Sequence, residues 1–475
     1  MRSFLLCAAL LSAHAGGLGA ASAAPVSLTV NGTRLPERRA KPVAGGAVVP
    51  QSGTLPLTLR GAQAGDQLCS DSDAFYQINR LDNIAGKVTQ FYANYAGLLG
   101  QAKLWVVRGK SCAGPHLADF EVRAEGSTLW QATFPAQSPE NRPPVVAADG
   151  TIYVLAGKDE LHALTPAGGL KWRVALPKGA WSEWSSGLSL GPDGTLYAGL
   201  FNGDLVAFAP TGKEKWRFRT AALVVQPPTF GADGTVYLGA TDHKLYALTP
   251  QGQKKWVYRA GQHIIGPTLR GLDGTLYFGA DDRLLYAVGP NGKLRWKLDP
   301  AGERAELRAI GADGTLYATS FGPSSWKAPD NALLMALSPA GKVIWQRRMG
   351  YAQSVTIGQG GTLYVESFGK LSALTTAGQP KWTFNGGEAN SSAGTQVIGS
   401  DDTIYFTNNA RIYALNADGS LKWLRELAQE PLYLNMNRSG DLLVSAWNGR
   451  VFALATTSRA LAKAPWPTAA ADANR

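Results

Sequence analysis

The stretch DGTVYLGATDHKLYALTPQGQKKW, Asp233 to Trp256, recurs as DGTLYFGADDRLLYAVGPNGKLRW from Asp273 to Trp296 and as DGTIYVLAGKDELHALTPAGGLKW from Asp149 to Trp172. A self-similar period of about 40 residues points to a solenoid or a propeller, in which neighbouring units bury a core together. Between Pro227 and Tyr258 the unit divides into four apolar or alternating runs, PPTFG, TVYLG, KLYALT and QKKWVY, separated by ADG, ATDH and PQG. Those separators are turn formers suited to short antiparallel connections, so each unit predicts a four-stranded up-and-down sheet.

The DGT-type turn stands at Asp149, Asp193, Asp233, Asp273 and Asp313, then changes to GGT at Gly360, DDT at Asp401 and SGD at Ser439. A closing tryptophan stands at Trp130, Trp172, Trp216, Trp256, Trp296, Trp345, Trp382 and Trp423. Both series count eight, but they are out of phase. Trp130 precedes the first turn, and the last unit, GDLLVSAWNGRVFALATT, lacks a tryptophan of this kind. The segment around Trp130 is therefore expected to supply the outer strand of the last blade, which joins the two ends and removes two exposed sheet edges. The predicted fold is all-β: an eight-bladed β-propeller over residues 126–457, closed by an N-terminal outer strand, with a small β-rich domain before it.

The phrase ALTPAGGLKW, Ala163 to Trp172, and its variants ALTPQGQKKW, ALSPAGKVIW and ALNADGSLKW resemble the tryptophan-docking motif of PQQ-type propeller repeats. That family includes quinoprotein alcohol dehydrogenases and the propeller lipoprotein of the bacterial outer-membrane barrel-assembly machinery. The resemblance implies that the eight tryptophans are structural docking residues, each presenting a large apolar surface to a neighbouring blade. It also sets a test for chemistry, since quinoproteins of this family carry a vicinal Cys–Cys pair and calcium ligands beside the cofactor. No CC occurs in this chain. PQQ and calcium are accordingly not expected, and no cofactor, metal or catalytic residue is predicted.

The first residues, MRSFLLCAALLSAHAGGLGAASAAP, place Arg2 before an apolar run and small residues ending at Ala23. This pattern reads as a secretory signal over residues 1–23. Cys7 lies too near the first Met to read as a lipid-attachment cysteine. Removing the signal leaves Cys69 and Cys112, an even pair expected to form a disulfide in an oxidising compartment. Residues 24–125 contain strand-like VSLTV, TLPLTLR, AKLWVVR and DFEV around a loop-like LPERRAKPVAGGAVVPQSG, and residues 458–475 read as a flexible tail. No apolar run is long enough for a membrane helix. The formal net charge is +11, which favours anionic partners, although the basic residues are scattered; nucleic acid is not expected for an exported chain. The expected location is the periplasm, cell surface or medium.

Up-and-down connectivity places the blade-to-blade connections and the second-to-third-strand turns on one face, and sequence variation concentrates there. Trp181, Trp184, Phe201, Trp326, Tyr351, Phe368 and Trp447 map to this face and are the binding candidates. The carboxylates Glu183, Asp242, Asp281, Asp282, Glu303, Glu306 and Glu388 map there too and are expected to solvate loops. His243 and His263 read as singletons, and His162, which replaces the Tyr of LYAL, as a partly buried strand residue. The expected function is non-enzymatic binding of an envelope protein; the alternative is a ligand-binding propeller, either a divergent PQQ quinoprotein dehydrogenase or a glycan binder, with an anionic glycan or small ligand as its partner.

Overall fold

In the computed structural model the Asp-Gly-Thr turns share one local geometry. Asp149 Oδ1 accepts the Thr151 amide at 2.9 Å and Oδ2 accepts the Thr151 hydroxyl at 2.8 Å, and the same pair of bonds recurs at Asp193, Asp233, Asp273 and Asp313. The central glycine sits at positive φ, 82° at Gly150 and 76° at Gly234, which explains the residue type. Each turn reverses the chain between the first two strands of a blade.

The structure describes residues 27–29, 41–43, 46–49, 53–60, 66–71, 75–82, 88–95, 101–108, 112, 116–134, 143–156, 160–177, 187–300, 304–321, 332–349, 354–367, 369–387, 395–428, 430–447 and 449–463. Among them lie eight four-stranded antiparallel sheets that form the predicted eight-bladed propeller. Blade 1 runs Val145–Val146, Ile152–Ala156, Glu160–Leu164 and Leu170–Ala175, from innermost to outermost strand. Blades 2 to 7 repeat that order. Blade 8 takes its inner three strands, Pro431–Met436, Leu442–Ala446 and Arg450–Leu454, from the end of the chain and its outer strand, Thr128–Thr133, from before blade 1.

Second and third strands are buried almost throughout, so they read as continuous apolar runs such as VYLG and KLYAL, while outer strands alternate exposed and half-buried residues as in KKWVYR. The core lies between blades. Leu205, Val236, Leu238 and Leu248, for example, belong to one buried cluster drawn from blades 2 and 3.

The outer-strand tryptophans tie each blade to the next. Trp172 Nε1 donates to Pro210 O at 3.0 Å, Trp216 to Pro250 O at 2.8 Å and Trp256 to Pro290 O at 2.9 Å, with Trp296, Trp345 and Trp382 donating to Pro339, Thr376 and Ala417. Under each ring lies a glycine of the turn reached. A Cβ on Gly252 would stand 2.6 Å from the Trp216 ring, too close for any other residue. Trp130 does the same across the closure, donating to Pro166 O of blade 1 at 2.9 Å and covering Gly168. The inner strand of blade 8 adds a second link, Asn435 Nδ2 to Pro144 O at 2.8 Å.

Trp423 differs. It is buried, and its indole N–H has no partner among the described residues. The reason is topological: the outer strand of blade 8 comes from elsewhere in the sequence, so no third-to-fourth-strand turn offers a carbonyl there. Residues Ala460–Ala462 instead run beside blade 7, with Ser400 N donating to Ala460 O and Ala462 N to Ile398 O, both at 2.8 to 2.9 Å.

The chain divides into two compact units, residues 130–453 with 460–475, and residues 1–129 with 454–459. The second of these contains two further sheets. One orders Ser27–Thr29, Gly53–Arg60, Val88–Tyr95 and Phe75–Asp82; the other orders Lys41–Val43, Gly46–Val49, His116–Ala124, Gln101–Arg108 and Asp66–Ser70. Two short strands thus occupy the segment read as a loop, where Lys41–Val43 and Gly46–Val49 form a hairpin and the latter pairs parallel with His116–Ala124. The signal segment and residues 464–475 lie outside the described residues.

Candidate ligand face of the propeller

The variable face is described most fully at blades 2 to 4. Its second-to-third-strand turns are Leu200–Gly203, Ala240–His243 and Ala280–Arg283, and its blade connections run through 220–228 and 260–268. Asp242 folds one turn: Oδ1 accepts the Lys244 amide at 3.2 Å, and Oδ2 accepts from the Ala221 amide at 3.2 Å, from Lys244 Nζ at 3.1 Å and from the Tyr246 hydroxyl. Burial, then the bond to Asp242, push the Tyr246 phenol up. Asp282 and Tyr286 repeat the arrangement one blade on, where burial and then the bond to Asp282 push the Tyr286 phenol up to about 12. These aspartates staple turns; with its side chain 6% exposed, Asp242 does not serve as the solvating carboxylate expected from sequence.

Charge on this face is arranged in compensated clusters. Asp204 is fully buried and receives Arg217 at 3.0 Å and Arg219, which binds through two nitrogens. Burial alone would raise the Asp204 carboxyl, but hydrogen bonds from Arg219 and then Arg217 outweigh it and hold the group below the ordinary carboxylate range. Arg304 bridges Asp281 at 3.3 Å and Glu306 at 3.2 Å, and Arg308 reaches Glu306 at 3.0 Å. Between blades 2 and 3 lies a groove of about 630 Å³ lined by Phe218, Arg219, Lys244, Tyr246, Lys254 and Val257. It combines aromatic rings with cationic side chains.

Of the aromatic candidates, Phe201 is half-buried in the blade 2 turn, and Trp447 is half-buried in the blade 8 turn, where its amide donates to Glu430 O at 3.1 Å. Trp181, Trp184, Trp326, Tyr351 and Phe368 lie outside the described residues, as do Glu183, Glu303 and Glu388.

The histidines show what sequence reading missed. His243 and His263, read as singletons, are brought together with ring centroids 4.7 Å apart and planes at 86°. They come from the blade 3 turn and from the connection that leaves blade 3, so adjacency required the path of the loop. His162 is 4% exposed, sits against Phe134 and contacts Glu160 at 3.1 Å. Among the described residues no group of three or more His, Cys, Asp and Glu is placed to share a metal ion.

A second unforeseen residue is Glu366, at the end of the second strand of blade 6. It is 1% exposed; Oε1 accepts the Gly369 amide at 3.1 Å, and Oε2 has no partner among the described residues. Burial pushes its carboxyl up to about 7, against the smaller pull of the Gly369 amide.

A family model described as outer membrane protein assembly factor BamB matches residues 118–183, 166–298 and 280–474. The chain belongs to the BamB family. Its matched span begins just before the blade 8 outer strand and takes in the whole ring. Among solved structures, BamB from Moraxella catarrhalis superposes with a TM-score of 0.55 at 15% identity, covering 70% of this chain and 99% of that one. The Dos1 propeller superposes at 0.54 and 11% identity, covering 69% and 94%. At such identities the two structures share the propeller fold with this chain and nothing finer. No curated protein matches the chain.

Proposed function

We propose that this chain is an exported, non-catalytic binding protein of the cell envelope, which holds another protein on the variable face of its propeller. The observation that carries the reading is the pair of half-buried aromatics in turns of that face, Phe201 and Trp447, beside a groove whose cationic side chains, Arg219, Lys244 and Lys254, stand on strands of blades 2 and 3, with the Asp242 and Asp282 turns held by internal hydrogen bonds. A preorganised frame with aromatic and arginine side chains suits protein recognition, because few groups lose freedom on binding. Membership of a family described as an outer-membrane assembly factor supports the envelope setting. The cationic side chains of the groove, two of which also serve Asp204 and Asp242, favour a partner with an acidic segment, and they equally give the second reading, an anionic glycan, its specific support.

Export belongs to the same proposal and rests on the signal-like residues 1–23. So does the Cys69–Cys112 disulfide within a small domain over residues 24–125. In support, Cys69 lies on the strand Asp66–Ser70, which pairs antiparallel with Gln101–Arg108, and Cys112 follows shortly after that second strand. Peptide mapping of the unreduced, exported protein is expected to recover one cross-linked peptide containing both cysteines; two alkylatable thiols would remove the bridge.

The test of the function is crosslinked capture from the native envelope with the wild type and with the Trp447→Ala and Arg219→Glu variants. A stoichiometric protein held by the wild type and released by either variant is the expected result. Capture unaffected by both changes would displace the site, and retention of an anionic glycan in place of a protein would favour the second reading.

A further inference from the structure

We propose that His243 and His263 form a surface chelate for a borderline divalent transition metal, Cu²⁺, Ni²⁺ or Zn²⁺, with water completing the coordination shell. The rings meet edge to face with centroids 4.7 Å apart. His263 Nδ1 is hydrogen-bonded to the carbonyl oxygen of Thr241. A carbonyl only accepts, so Nδ1 carries the proton and the Nε2 lone pair is left for a ligand. This is the way a backbone carbonyl orients an imidazole toward a metal. The His243 carbonyl accepts the Ala260 amide at 2.8 Å, but its ring makes no hydrogen bond among the described residues, so the ring can turn until one nitrogen reaches the same ion at the usual distance of about 2.0–2.1 Å.

Neither imidazole is needed to build the frame. His243 occupies a left-handed turn position, φ 70°, that Gly203 fills in blade 2 at 88° and Arg283 in blade 4 at 71°. His263 occupies the connection position that Leu223 fills one blade earlier: Thr241 N donates to Leu223 O, and Asp281 N to His263 O, both at 3.0 Å. Two frame positions that take other residues in neighbouring blades therefore both carry histidine at blade 3, where the two rings touch. Two of the nearby cations are already paired, Lys244 with Asp242 at 3.1 Å and Arg304 with Asp281 at 3.3 Å, which lowers their repulsion of the ion. With two protein ligands, affinity is set by the imidazoles alone and exchange is open to solvent. Nitrogen donors of this kind select copper, nickel and zinc over magnesium or calcium.

The full-length mature protein, stripped with a chelator, is titrated with Cu²⁺ at a pH of about 7.5, above the range in which free imidazoles are protonated. The expected result is one Cu²⁺ per chain, a paramagnetic resonance spectrum with hyperfine coupling to two nitrogens, and competition by Zn²⁺. His263→Ala and His243→Asn, the latter compatible with the left-handed turn, each weaken binding at least about tenfold while the melting temperature of the metal-free protein stays unchanged. A one-nitrogen spectrum overturns the proposal, as does binding of equal strength in the double variant or no saturable binding up to about 100 µM metal.

Discussion

At the scale of single residues, the unusual groups are those whose polar atoms lack partners. Glu366 favours its neutral form in the fold because ionisation would leave a buried charge with one amide donor. A carboxyl raised from its ordinary value to about 7 contributes stability that is fully present below the unfolded value, near 4.5, and is lost as pH rises through about 7. Glu366→Gln keeps the shape and cannot ionise. Melting curves are expected to show the variant overtaking the wild type as pH rises from 5 to 8, by on the order of 3 kcal/mol at the alkaline end. Parallel curves for the two proteins would remove the account. Trp423 presents the converse case, an N–H without an acceptor. Trp423→Phe gives up ring area but removes an unsatisfied donor, so it is expected to cost at least about 1 kcal/mol less than Trp172→Phe, which breaks a 3.0 Å bond to Pro210 O. Chemical denaturation of the two variants decides the order.

At the scale of elements, the turns and the docking residues divide the work of building a blade. The Thr235 hydroxyl and amide, together with Lys255, hold the Asp233 carboxyl down to about 2 against burial, and the other Asp-Gly-Thr aspartates are lowered as well. Lowered groups contribute stability above the ordinary carboxylate value that is lost as pH falls through the folded one, here from about pH 4 toward 2. Asp233→Ala is expected to cost roughly 1–2 kcal/mol at neutral pH and to shallow the acid limb of the stability curve, measurable by denaturant titration across pH. The glycine beneath each tryptophan is the complementary test. Gly252→Ala meets both a positive φ of 82° and the Trp216 ring, and is expected to destabilise by more than about 2 kcal/mol. Much of this was readable from residue types alone: a repeated Asp-Gly-Thr is a turn with a mechanism, and the recurring Gly and Trp imply a flat contact between units. Less readable were the strands at Phe75–Asp82 and Val88–Tyr95 and the hairpin at Lys41–Val49, where no repeat reinforces a weak alternation.

At the scale of the whole molecule, closure of the ring places Trp130 in the same relation to blade 1 as Trp172 has to blade 2, although Trp130 precedes every blade it joins. Trp130→Ala and Trp172→Ala are therefore expected to cost the same within about 1 kcal/mol, each on the order of 2–3 kcal/mol for a half-buried aromatic that also loses a hydrogen bond. A Trp130 variant with little loss would show that docking of this side chain on blade 1 does not hold the ring closed. The sequence by itself determined the number of blades, their strand order and the closure, because a turn depends on the dihedral preferences of a few adjacent residues and a repeat states the same preference many times. Only the tertiary structure decided that His243 and His263 touch, that Glu366 is enclosed, and that Arg219 and Lys244 line one groove. Those facts depend on distances between side chains of different turns and strands, and such distances are set by the path of loops and the packing of one blade on another, which no local pattern encodes.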